Sequence, residues 1–194
     1  MSLKERIYSV LVVSAAESFN TALSALLPES RYDPVRIVSH ISAAKRAWSD
    51  SFYDFVIINS PLPDDPGIRF SIDIALSQGA IPLLLSGNEL YDDVFDKVAK
   101  HGVFTLAKPI SRSILTLTLD FMTSARERLR ASEKKVLSVE EKMEEIRLVN
   151  RAKWILISEL KMDEPGAHRY MEKQAMDRCV SKKTVAEEII NTYK

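Results

Sequence analysis

The chain has 194 residues, is 46% hydrophobic and 28% charged, and carries as many Lys and Arg as Asp and Glu. These are the proportions of an ordinary globular protein, with length for one large domain or two small ones. Its single thiol, Cys179, cannot form an internal disulfide, no apolar run approaches the ~20 residues of a membrane helix, and no apolar signal segment follows Met1. The expectation is therefore a cytoplasmic protein without a membrane partner.

Charge is uneven along the chain. Residues 1–122 carry eleven Lys and Arg against fourteen Asp and Glu, and residues 123–194 carry sixteen against thirteen. That is either ordinary scatter or an acidic regulatory half joined to a basic half that meets a polyanion.

The first 120 residues alternate short β-branched runs with segments of helical spacing. The runs are Val10–Val13, Val35–Val38, Phe55–Ile58, Ile81–Leu85 and Val103–Leu106. Three are apolar throughout, as strands buried on both faces of a parallel sheet must be. Phe19, Leu23, Leu26 and Leu27 mark one intervening helix. Val94 and Val98 mark another, with Asp92 and Asp93 near its positive end. The pattern predicts an α/β, doubly wound, five-stranded parallel sheet, with the carboxyl ends of the strands on one edge.

From Ser111 to Leu160 there is no Gly or Pro, and a seven-residue repeat appears. One seam position reads Leu115, Met122, Leu129, Val136, Met143, Asn150. The other reads Thr118, Ala125, Ser132, Val139, Ile146. This predicts one long helix whose middle is a coiled-coil seam, with a parallel homodimer as the preferred partner and Asn150 setting register. The apolar residues of 111–125 can pack on their own domain; those of 130–148 have nothing in their own chain to face. The tail reads as a small all-α three-helix domain. Asp163 caps its second helix, with Pro165 in the first turn, and Ser181 caps its third. The expected division is 1–122, a linker helix over 123–146, and 147–194.

The first 122 residues resemble the receiver domains of response regulators. The stretch Asp54 to Gly67 is similar to that family's third strand and following loop, and Pro63 and Gly67 place the phosphoacceptor position at Asn59. Lys108-Pro109 matches the family's lysine and cis-proline, and Ser86 its hydroxyl position. The acidic pair of the family falls at Ser14 and Ala15. Phosphotransfer needs an anionic oxygen nucleophile and carboxylates for Mg²⁺. The amide of Asn59 cannot form an acyl phosphate, and Ser14 and Ala15 supply no metal ligand. A pseudo-receiver is expected, with no metal and no cofactor. Lys108 is then either part of a satisfied polar cluster or the mimic of a fixed signalling state. No convergent acid, base or nucleophile set suggests an enzyme, and His40, His101 and His168 lack metal spacing.

The tail resembles the ANTAR family of RNA-binding antiterminators. Val149 to Leu156 is similar to its first-helix pattern Ala-Lys-Gly-x-Leu, and Glu164–Ala167, Ala175–Asp177 and Thr184–Ile190 to its later helices. The resemblance covers about 140–193 and implies binding to stem-loops of a leader transcript. Candidate contacts are Arg151, Ala152, Lys153, Trp154, Arg169, Lys173, Arg178, Lys182 and Lys183, whose cations would neutralise phosphate. Trp154 stands where the family has Gly. It is either a core aromatic between helices or a stacking surface for a loop base. Ala152 acts, if at all, by letting a base or a helix pack closely. The reading is an RNA-binding antitermination regulator controlled by a sensor or partner protein or by oligomerisation; a pure protein-interaction module and a DNA-binding regulator are the alternatives.

Overall fold

The β-branched runs form five strands: β1 (Tyr8–Val13), β2 (Tyr32–Val38), β3 (Phe55–Asn59), β4 (Ile81–Gly87) and β5 (Phe104–Lys108). They pair in parallel in the order β2-β1-β3-β4-β5. Four helices alternate with them: α1 (Glu17–Ser24), α2 (Ile41–Asp50), α3 (Ile68–Leu76) and α4 (Tyr91–Val98). The computed structural model describes residues 6–77 and 79–193. Strand β2 starts three residues before the predicted run and contains Pro34. An edge strand tolerates that proline because it has one side without a ladder partner. The spacing singled out α1 and α4; α2 and α3 emerge only in the structure.

The two-residue alternation of side chains sorts each central strand between two cores. Leu11, Val13, Val56, Ile58 and Leu84 pack with Ile41, Phe70, Ile74 and Val94 of the α2, α3 and α4 layer. Val10, Val12, Ile57, Leu83 and Leu85 pack with Leu23 on the opposite face. That second face is closed by the start of a 49-residue helix, α5 (Arg112–Leu160), through Leu115, Leu119 and Met122. Gly67, just before α3, has φ 80°, and a Cβ there would meet Ile58 Cγ2 at 2.7 Å. Only glycine lets the loop after β3 close this tightly.

The chain divides into two compact units, one reaching Arg130 and one starting at Ala131. The first extends past Met122 because the next turns of α5 still grip the sheet. Leu129 packs partly buried on the second core, and Arg126 and Arg130 reach Asp54 beside the start of β3.

The second unit is helical. The end of α5 is followed by α6 (Glu164–Asp177) and α7 (Lys182–Thr192). Asp163 accepts from Gly166 N at 2.8 Å and Ser181 from Thr184 N at 3.1 Å, so both predicted caps close a free N–H. Ala152, Leu156, Ala167, Met171, Ala175, Val185, Ala186, Ile189 and Ile190 form its core. Among the described residues no helix is long and apolar enough to cross a membrane.

Candidate functional site

Two regions carry the residues singled out above, one in each unit. In the first, the parallel sheet brings the ends of β1, β3, β4 and β5 to one edge, which gathers Ser14, Asn59, Ser86 and Lys108. Asn59 Nδ2 donates to Ser14 Oγ at 3.0 Å. Lys108 Nζ donates to Asn59 Oδ1 at 3.1 Å and also to the carbonyl of Ser60. Burial pushes the Lys108 ammonium below the usual lysine range. Ser86 is buried, and its Oγ has no hydrogen-bond partner among the described residues. Ala15 is exposed and brings no polar side chain.

The receiver-like fold implies Mg²⁺ at this edge. The donors present do not fit it: a hard cation takes carboxylate and carbonyl oxygens, whereas Ser14 offers a hydroxyl, Ala15 nothing, and Asn59 an amide oxygen already held by an ammonium. Among the described residues no cluster of three His, Cys, Asp or Glu could hold a metal.

The second region is the surface of the helical unit. Here Trp154 is 71% exposed, which removes the core-aromatic reading of the two. The core closes around the small Ala152 and around Leu156, and Trp154 falls on the other side of the helix. Ala152 is fully enclosed. Of its two readings, helix packing is the one realised, since no base can reach its methyl.

The nine candidate contacts separate into groups. Lys153 pairs with Glu164 at 2.7 Å, Lys182 with Glu172 at 2.6 Å, and Arg178 grips both oxygens of Glu188 at 2.5 and 2.7 Å. Arg169 Nε donates to the Pro165 carbonyl at 3.3 Å and shares a cleft with Lys153 and His168. Arg151, Lys173 and Lys183 are exposed, and no ion pair engages them among the described residues. Arg147, Arg151 and Trp154 lie four and three residues apart, on one face of α5. Arg147 was missed by reading only the motif; the seven-residue spacing to Trp154 was the available signal. The acidic partners were also missed, because they lie ten or eleven residues away across turns.

Each cation holds its acid below the usual carboxylate range. The causes are the hydrogen bonds and charges of Lys153 on Glu164, Lys182 on Glu172 and Arg178 on Glu188. A depressed folded-state pKa contributes stability above the ordinary carboxylate pKa, and that contribution is lost as pH falls through the folded value. The three pairs are solvent-exposed, so the effect is small. The helical unit should show a shallow decline in unfolding temperature below the ordinary glutamate range, flattened in Glu164→Gln/Glu172→Gln/Glu188→Gln; an equal decline in that variant would assign it to other groups.

The predicted seam separates as well. Val136, Val139, Met143 and Ile146 are each more than half exposed, and Asn150 is exposed. Leu129 is set apart from them by its packing on the first unit's core, so the unpartnered stripe begins at Val136.

Residues 138–190 match the ANTAR domain family. Transcriptional regulatory protein PdtaR of Mycobacterium tuberculosis H37Rv is 31% identical over 140 residues, covering 72% of this chain and 68% of that protein. The signal receiver domain of an HD domain-containing protein from Pseudomonas fluorescens Pf-5 is similar in structure, with a TM-score of 0.58 at 21% identity over 68% of this chain and 96% of that one. The beryllofluoride-activated NtrC4 receiver domain dimer gives 0.54 at 26% identity over 61% and 98%.

Proposed function

The chain belongs to the ANTAR family of transcriptional regulators with a receiver-fold first unit, and on that premise we propose that it binds structured RNA and acts as a transcription antiterminator. The observation that carries this reading is the coincidence of the ANTAR match, 138–190, with a face of α5 on which an exposed Trp154 follows exposed Arg147 and Arg151, Arg147 reaching only Glu144 among the described residues, at 4.0 Å. Phosphate is held by cations, and an unpaired base stacks on an aromatic plane. Arg147, Arg151 and Trp154 supply both on one helix face; Arg169, Lys173 and Lys183 extend the basic surface. Lys153, Arg178 and Lys182 take part only by exchanging their glutamate partners for phosphate.

The working form in this proposal is a homodimer through Val136, Val139, Met143 and Ile146, with Asn150 in register. A single apolar stripe of this length loses its exposure only against another helix. We assign the first unit a docking role, driven by a partner protein or by association and not by aspartyl phosphorylation, and we place the protein in the cytoplasm.

The experiment is a mobility shift with leader RNAs that contain tandem stem-loops. Binding that weakens as salt rises supports the proposal; no shift at low salt across several such RNAs would favour a protein-interaction module, and preference for duplex DNA a DNA-binding regulator. For the first unit, incubation with acetyl phosphate and Mg²⁺ should yield no acid-labile adduct by phosphate-affinity electrophoresis. Asn59→Asp alone should also stay unmodified, because Ser14 and Ala15 still leave no carboxylates for the metal. A stoichiometric adduct on the unaltered protein would overturn the phosphorylation-independent assignment.

A further inference from the structure

We propose that the first unit holds a binding site for a small amphipathic anion, such as a medium-chain or aromatic carboxylate, between α1 and the turn from β5 into α5. A cavity of about 300 Å³ opens there, at the lower end of the range for small-molecule sites. It has room for on the order of ten heavy atoms at about 30 Å³ each. Phe19 and Leu23 of α1 and Leu26 just after it form one wall, and Pro109, Ile110 and Leu115 the other.

Among the described residues the charged lining residues are Lys108 and Arg112, and no Asp or Glu lines the cavity. Lys108 spends its ammonium on Asn59 and the Ser60 carbonyl. Arg112 is exposed, and its guanidinium has no ion-pair or hydrogen-bond partner among the described residues. An apolar body with an anionic head is therefore the complement of this site: the walls remove its chain from water, and Arg112 receives the head. A cation lacks an acid to meet, and a fully apolar occupant leaves Arg112 unused.

The position also matters for control. The occupant touches Lys108, which ties β5 to the carbonyl after β3, and Arg112 and Leu115, which open α5. A ligand here can supply an input that the donor set around Asn59 does not supply through phosphate. This inference does not depend on RNA binding, and its test reads the ligand alone.

The test is isothermal titration of the full chain with octanoate, an anion of the right size, and with 1-octanol, its neutral counterpart. Octanoate is expected to bind once per chain and more tightly than octanol. Arg112→Gln should weaken octanoate by up to about fivefold, the scale of an exposed ion pair, and leave octanol unchanged. Ala22→Trp and Ala25→Trp, both at exposed lining positions, should each abolish binding of both probes while the circular dichroism spectrum and cooperative unfolding are kept. Three results would overturn the proposal: no heat with octanoate at millimolar concentration, equal affinity for both probes with no response to Arg112→Gln, or binding that survives in both filled variants.

Discussion

Asp54→Ala is expected to lower the unfolding free energy of the first unit by about 3–5 kcal/mol, the cost of removing one partner from a buried ion pair. Asp54 is only 4% exposed, and so is Arg126. Its carboxylate receives Arg126 Nε at 2.9 Å, Arg130 at 2.5 Å and the backbone N–H of Ser9 at 3.2 Å. Arg126 also lies over the ring of Phe52 and Arg130 over that of Tyr8. Without the carboxylate, the buried Arg126 loses the anion it shares with Arg130, and the Ser9 N–H loses this acceptor. The carboxylate is desolvated and held by two guanidiniums, so Asp54→Asn, which keeps the shape and part of the hydrogen bonding, should cost markedly less than Asp54→Ala. Glu127, which pairs with Arg6 and Arg130 nearer the surface, should cost less than either on replacement by Gln. Urea unfolding read by fluorescence checks this. The chain has two tryptophans, and Trp154→Phe leaves Trp48 as the reporter of the first unit alone. Equal losses in Asp54→Ala and Asp54→Asn would refute the argument.

Trp154→Ala should weaken RNA binding by about 1–3 kcal/mol, the range for loss of one base–aromatic stack, with little change in stability. The exposure of Trp154 is the reason: its truncation opens no cavity in the core around Ala152 and Leu156. Trp154→Phe should restore most of the affinity. Arg151→Glu should weaken binding too, but with a different signature: a shallower dependence on salt, since one fewer phosphate is neutralised. Glu164→Gln and Glu188→Gln release Lys153 and Arg178 and remove an acid, so they should tighten binding if those cations touch RNA. Filter binding across a salt series separates these effects. If Trp154→Ala binds normally but sediments as a monomer, the ring belongs to the dimer interface and not to RNA.

The layer arrangement was legible because burial leaves a strong mark on composition. Val10–Val13 and Phe55–Ile58 are apolar without interruption, which only a sheet covered on both faces accommodates. Asp163 and Ser181 were legible as caps because a cap is a local hydrogen bond, made within three residues. The position of Asn59 could be counted from Pro63 and Gly67, and Gly67 has a steric reason to be where it is, in its approach to Ile58.

What the sequence by itself determined is therefore the order of the strands, the residue types that stand at Ser14, Ala15 and Asn59, and the uninterrupted run of α5. Those depend on residue type and near-neighbour spacing. Only the tertiary structure decided that Trp154 faces out while Ala152 faces in, and that Leu129 belongs to the first core. It also decided that Lys153, Arg178 and Lys182 already hold carboxylates, and that Asp54 anchors α5 from 72 and 76 residues away. These outcomes depend on which distant groups share a small volume, and in that volume a buried charge must find its partner.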